Sequence, residues 1–282
     1  MITDRRYDRA RYACYMTNLA MAVVITLSPF LFETFREMYG ISYTLLGMLA
    51  VINFCTQLLV DLIFSFFSKY FNLKWVVRLT PAITVAGLLL YAGLPRLFPQ
   101  SAYLGLVAGT IVFSASAGLS EVLMSPVIAA MPSDNPERDM SKLHSIYAWG
   151  VVGVVIVNAL YLRFFGAQNW FWLACVWAVL PLAAFVLFLR SELPELNTEP
   201  ETEKETGTVK SRALLKGLPI FFLCIFLGGA AENTMSQWIS SYTESALGIS
   251  KFWGDLCGMA LFALMLGLGR TLYAKFGRNI TT

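Results

Sequence analysis

The chain has 282 residues, 57% of them hydrophobic and only 14% charged, too little charge to cover the surface of a soluble domain of this length. Its mean hydropathy of +0.63 points to a protein covered mostly by lipid. The net charge of +3 identifies no partner, because the charges sit between apolar runs. No basic stripe is interleaved with aromatic residues, which argues against nucleic acid as a partner.

Cys14, Cys55, Cys175, Cys224 and Cys257 each stand alone inside an apolar run, so neither a disulfide framework nor a metal cluster is expected. His144 is the single histidine, which rules out a multi-histidine metal site within the chain. No cofactor is expected. The N-terminus MITDRRYDRARY resembles the charged region of a signal peptide, but the apolar run after it is too long and lacks a small-residue cleavage site. It reads as a retained first helix.

Spans of about twenty apolar residues cross the hydrocarbon core. The first is expected over Tyr12–Phe35, with a turn at Arg36–Ser42, and the second over Tyr43–Ser68. The third covers Trp75–Leu94, closed by the prolines of Pro95-Arg96-Leu97-Phe98-Pro99. The fourth covers Ala102–Met131, the fifth Leu143–Phe165 and the sixth Trp170–Arg190. Then comes the one long polar break, Ser191–Lys216, acidic at Glu192, Glu195, Glu199, Glu201, Glu203 and Glu205, and basic at its end. Such a segment usually reads as a solvated tether. A seventh span over Leu218–Thr243 and an eighth over Phe252–Tyr273 follow. The expected organisation is a six-helix bundle at 1–190, a charged cytoplasmic linker at 191–216, and two further helices at 217–282.

Lysine and arginine gather on one side of these spans: Arg5, Arg6, Arg9, Arg11, Lys69, Lys74, Arg138, Lys142, Arg190 and the end of the break. The other side holds Arg36, Arg96, Arg163 and Lys251. This asymmetry places both termini in the cytoplasm, in a plasma or inner membrane.

Polar groups inside spans mark function by default, because lipid does not tolerate them. In SASAGLSEVLMSP, Ser114, Ala117, Gly118, Glu121 and Ser125 recur at three- and four-residue steps and share a helix face. Packing explains the small residues but does not require Glu121. Asn53, Gln57 and Asp61 form a stripe on the second span that reads as the lining of a water-filled cavity; for Asp61, structural pairing stays open. His144 opens the fifth span, suited either to proton relay or to a loop carbonyl. Tyr147, Trp149 and Asn158 continue that helix, suited to stacking on a sugar ring, to hydrogen bonding or to packing. In the seventh span, Glu232, Asn233, Ser236, Gln237, Trp238, Ser240 and Ser241 are too polar for a lipid-facing helix. Asn233 and Gln237, one turn apart, could hold a polyol, and Gly228-Gly229 ahead of them could loosen the helix.

Six helices, a charged loop and further helices, with Gly269-Arg270, Ala274-Lys275-Phe276-Gly277-Arg278 and the degraded Lys69–Lys74 loop, resemble the major facilitator superfamily. Glu121 with Ser125-Pro126, then Leu143-His144-Ser145, Gly150 and Gly153, resembles its fucose permease-like branch. The resemblance implies an all-α integral membrane protein with the N-terminal bundle and two helices of the second. It also implies Glu121 as the proton-coupling group, with Asp61 and His144 as further candidates. The family has twelve helices in two bundles with solute between them, so the chain is expected to be truncated after helix eight, and a second chain could supply the rest. The function implied is secondary transport of a small polar solute, a sugar, by proton symport and alternating access. An exporter of amphipathic compounds and a truncated, non-transporting membrane protein are the alternatives. An enzyme is not expected, since no nucleophile–base pair, metal set or phosphate-cradling loop is present.

Overall fold

The computed structural model describes residues 5–133, 135–196 and 212–276, and these form helices joined by short connections, with no strand among them. Glu199, Glu201, Glu203, Glu205, Lys204 and Lys210 of the polar break, with Gly277 and Arg278, lie outside them. The helices are α1 (Asp8–Phe30), α2 (Phe32–Tyr39), α3 (Tyr43–Phe67), α4 (Leu73–Leu97), α5 (Ala102–Ala129), α6 (Pro136–Phe165) and α7 (Trp170–Leu189). After the break come α8 (Arg212–Leu247), α9 (Lys251–Gly254), a π-helical segment (Asp255–Ala260) and α10 (Leu261–Phe276). Eight spans are long and apolar enough to cross a membrane, and the chain is an integral membrane protein.

Local chemistry sets the boundaries. Ser42 Oγ accepts from Leu45 N–H at 3.4 Å, and Asn72 Oδ1 from Trp75 N–H at 3.3 Å. Asn135 Oδ1 accepts from Arg138 N–H at 2.9 Å ahead of Pro136, which fits the first helical position. Gly40, at φ 66°, closes α2 in the left-handed region. The first span departs from the uninterrupted helix to Phe35 expected above. Leu31 (φ −95°, ψ 4°) breaks it after Pro29, and Phe30, Phe32 and Phe35 on either side of the break are buried.

Within the bundle, α1 packs against α5, α6 and α7, α3 lies on α5, and α4 packs against α5 and α7. The α4–α5 seam is the closest. A Cβ on Gly87 would lie 2.5 Å from Phe113 N, and one on Gly109 would lie 2.4 Å from Tyr91 Cα. One apolar cluster, with Phe35, Tyr91, Phe113 and Trp170, fills the bundle toward the Glu33 end. Phe35 and Trp170 meet edge to face at 5.0 Å. A second cluster, with Cys14, Leu123, Leu143 and Phe188, fills the end that carries Arg9 and Arg11.

The polar break is not solvated at its start. Ser191, Leu193 and Pro194 are buried, Arg9 Nη1 donates to Arg190 O at 3.5 Å, and Arg78 Nη2 donates to Ser191 O at 3.3 Å. Leu193 and Leu196 cover the second apolar cluster, which a free tether would leave open. The seventh span also differs from expectation. Helix α8 runs unbroken through Gly228-Gly229, because each glycine only lowers helix propensity and neither is held in a non-helical conformation.

Helix α8 meets the bundle through Trp238. Its ring lies 5.1 Å from that of Phe32 and 6.3 Å from that of Tyr43, and Gly47 leaves room for it, since a Cβ there would sit 3.4 Å from Trp238 Cζ2. Beside it, Lys251 Nζ pairs with Asp255 Oδ1 at 3.1 Å and lies 4.6 Å over the Phe30 ring. Ser240 also donates to Asp255, which is 1% exposed.

Candidate functional site

Between the two apolar clusters, α1, α3, α5, α6 and α8 line an open cavity of about 450 Å³. Helix α5 contributes Ser120, Glu121 and Ser125, α3 contributes Gln57 and Asp61, α6 contributes His144 and Tyr147, and α8 contributes Asn233. A smaller cavity of about 220 Å³ adjoins it and is lined by Thr26, Tyr147, Glu232, Asn233, Ser236 and Gln237 among others. Ile25, Tyr147 and Asn233 belong to both walls.

The stripe on α3 divides in two. Asn53 is buried and turns away from the cavity: its Oδ1 accepts from Ser114 Oγ at 2.5 Å and from Gln57 Nε2 at 2.9 Å. Asn53 therefore joins α3 to α5 and holds Gln57, which does reach the cavity. The small-residue face of α5 divides the same way. Ser114 and Ala117 are buried in packing, and a Cβ on Gly118 would lie 3.1 Å from Gln57 O. This close approach carries Glu121 and Ser125 up to the cavity wall.

The three groups considered for proton coupling stand in one cavity. Asp61 and Glu121 are near enough for their charges to act on each other, and the buried Asp61 Oδ1 has no hydrogen-bond partner. His144 is solvent-exposed on the same wall. Asn18 of α1 joins them and was not singled out from sequence. It is 7% exposed, and its Nδ2 donates to Leu143 O, one residue before His144, at 2.8 Å. Its signal was available only as a lone carboxamide in an apolar run. Asp255 also escaped notice, because a helix-start position next to Lys251 reads as surface.

Four residues considered for solute contact, Asn53, Trp149, Asn158 and Trp238, line neither cavity, unlike the sequence reading. Trp149 is 42% exposed and lies two positions from Tyr147, roughly 200° round the helix. Asn158 is fully buried, three turns beyond the cavity, where its Oδ1 accepts from Trp177 Nε1 at 2.7 Å and joins α6 to α7. Trp238 serves the aromatic contact between α8, α2 and α3 described above. Gln57, Tyr147, Glu232, Asn233 and Gln237 do line the cavities. The two cavities thus gather carboxylates, amides, hydroxyls and one imidazole among the membrane-spanning helices.

Comparison with known proteins accords with this architecture. The family description of the Major Facilitator Superfamily matches residues 13–282. An uncharacterized MFS-type transporter of Yersinia pestis is 25% identical over 264 residues, covering 92% of this chain and 63% of the relative. The chain therefore spans less than two thirds of that relative's length. A crystal structure of a D-xylose–proton symporter superposes with a TM-score of 0.70 at 13% identity, over 97% of this chain and 70% of the other. The xylose transporter XylE of E. coli, in an inward-open conformation, gives 0.65 at 9% identity, over 94% and 67%. At these identities the structures speak for the fold alone, while the family description matches nearly the whole chain. The chain belongs to the Major Facilitator Superfamily.

Proposed function

We propose that this chain acts in secondary active transport, moving a small polar solute, a sugar, together with protons by alternating access. The observation that carries the reading is the carboxylate of Glu121 on the wall of a chamber inside the membrane-spanning helices, beside Asp61, His144 and an array of amide and hydroxyl groups. Ionisable groups at such depth are retained for ion or solute pathways. The pairing of Glu121 with Ser125-Pro126 and of Leu143 with His144 supports the fucose permease-like branch, and the xylose–proton symporters of like fold support a sugar. Their solutes are those proteins' own. The distribution of lysine and arginine supports a plasma-membrane orientation with both termini cytoplasmic.

The test is uptake by proteoliposomes holding the purified chain, with an inward proton gradient and a panel of pentoses, hexoses and deoxyhexoses. The expected result is accumulation that collapses with a proton ionophore. The Glu121→Gln protein should keep solute exchange and lose accumulation. Uptake that ignores both the ionophore and Glu121→Gln would overturn proton symport, and an absence of uptake across the panel would overturn sugar transport by this chain.

A further inference from the structure

The chamber's charge and hydrogen-bonding inventory is one-sided. Its walls hold three carboxylates, Asp61, Glu121 and Glu232, and no lysine or arginine among the described residues. The carboxylates that do have cationic partners in the described structure are elsewhere: Asp8 and Asp139 with Arg11, Glu33 with Arg36, and Asp255 with Lys251. Asp61 keeps a buried oxygen without any partner, and Glu121 feels the Asp61 charge rather than an opposite one. His144 is the only titratable nitrogen on these walls.

The neutral groups lean the same way. Asn18 and Asn233 each give a side-chain N–H to a backbone carbonyl, of Leu143 at 2.8 Å and of Gly229 at 2.9 Å. Each of these amide nitrogens spends one of its two N–H donors on the protein, and the amide oxygens have no donor from the protein in these bonds. Gln57 likewise gives an N–H to Asn53. The hydroxyl hydrogens of Ser120 and Ser236 go to the carbonyls of Ser116 and Asn233. The walls thus spend part of their donor capacity within the protein, while their carboxylate oxygens meet no lysine or arginine there.

An anionic solute meets like charge there, and a neutral polyol can hydrogen-bond to the walls but leaves the carboxylates without a cation. A protonated amine brings a positive charge and three N–H donors on one compact head. We infer that the solute is a small polyhydroxylated molecule carrying a protonated amine, an amino sugar in chemical class, and that acidic sugars are excluded. Its use in transport rests on the function proposed above, while the charge preference is a property of binding and is measured without transport.

Three probes of matched size separate the possibilities: D-glucosamine, D-glucose and D-gluconate, positive, neutral and negative. Thermal-shift titrations use the full chain in detergent at matched ionic strength and about pH 6, where an amine is charged and a carboxylate ionised. Glucosamine is expected to bind at least about tenfold more tightly than gluconate, and more tightly than glucose. Glu121→Gln or Glu232→Gln should weaken glucosamine about three- to tenfold and leave glucose within about twofold. Equal binding of glucose and glucosamine, tighter binding of gluconate, or no shift from any of the three overturns the inference. These comparisons on the unaltered protein stand even where a variant fails to fold. Glucosamine binding without glucosamine uptake by proteoliposomes would instead sink the transport reading and leave the charge preference in place.

Discussion

Asn53 receives two hydrogen bonds on one oxygen, from Ser114 and from Gln57, at a site that is 7% exposed. Asn53→Leu would strand both donors in the interior, at a cost of about 1–3 kcal/mol. The expected result is a lower thermal midpoint in detergent, with Asn53→Asp, which keeps an acceptor, closer to the parent. A parent-like midpoint for the leucine variant would mean that the network is dispensable. Asp255 makes a sharper case. Lys251→Ala removes the cation 3.1 Å from a carboxylate with 1% exposure, and breaking a buried pair from one side costs about 3–5 kcal/mol. Adding Asp255→Asn should recover much of that loss; no recovery would show that Lys251 contributes through packing on Phe30 instead. Glu121, Asp61 and His144 were legible in the sequence because an ionisable group in an apolar run is conspicuous. Asn158 and Trp149 misled because a helical repeat gives the face of a residue but not its depth or its neighbour. Asn18 was missed because its partner, the Leu143 carbonyl, lies 125 positions away.

The elements themselves were far easier to read, since lipid demands long apolar helices and turn residues punctuate them. All eight spans were found, though α6 begins at Pro136 rather than Leu143 and α1 ends at Phe30 rather than Phe35. What failed were details set by packing. The break at Leu31, flanked by buried phenylalanines, and the π-helical segment at Asp255–Ala260 leave no mark on the apolar pattern. The α4–α5 seam tests the packing account directly. Gly109→Ala would drive a Cβ to 2.4 Å from the Tyr91 backbone, whereas Gly153→Ala would meet nothing within 4 Å. Gly109→Ala should lose about 1–3 kcal/mol by overpacking, and Gly153→Ala should melt like the parent or slightly higher. Similar midpoints for the two would refute the close approach of α4 and α5.

In the whole molecule, α8 and the segments after it hold the bundle at the Glu33 end through the ring of Trp238 and the ammonium of Lys251, while the chamber lies nearer the arginine-rich end. Trp238→Ala should loosen that junction, raising amide exchange in α2 and α9 while α4 and α5 stay protected; unchanged exchange would assign the junction to other contacts. The five cysteines give the same molecule a set of chemical clocks. Cys14 has no exposed surface and belongs to the second apolar cluster, with Leu123, Leu143 and Phe188, whereas Cys55, Cys224 and Cys257 are exposed. Alternating access by rigid rocking leaves contacts inside one bundle intact. Cys14 should then stay inert to a small maleimide through any number of turnovers, and its alkylation during uptake would show that α1 itself peels away from its neighbours.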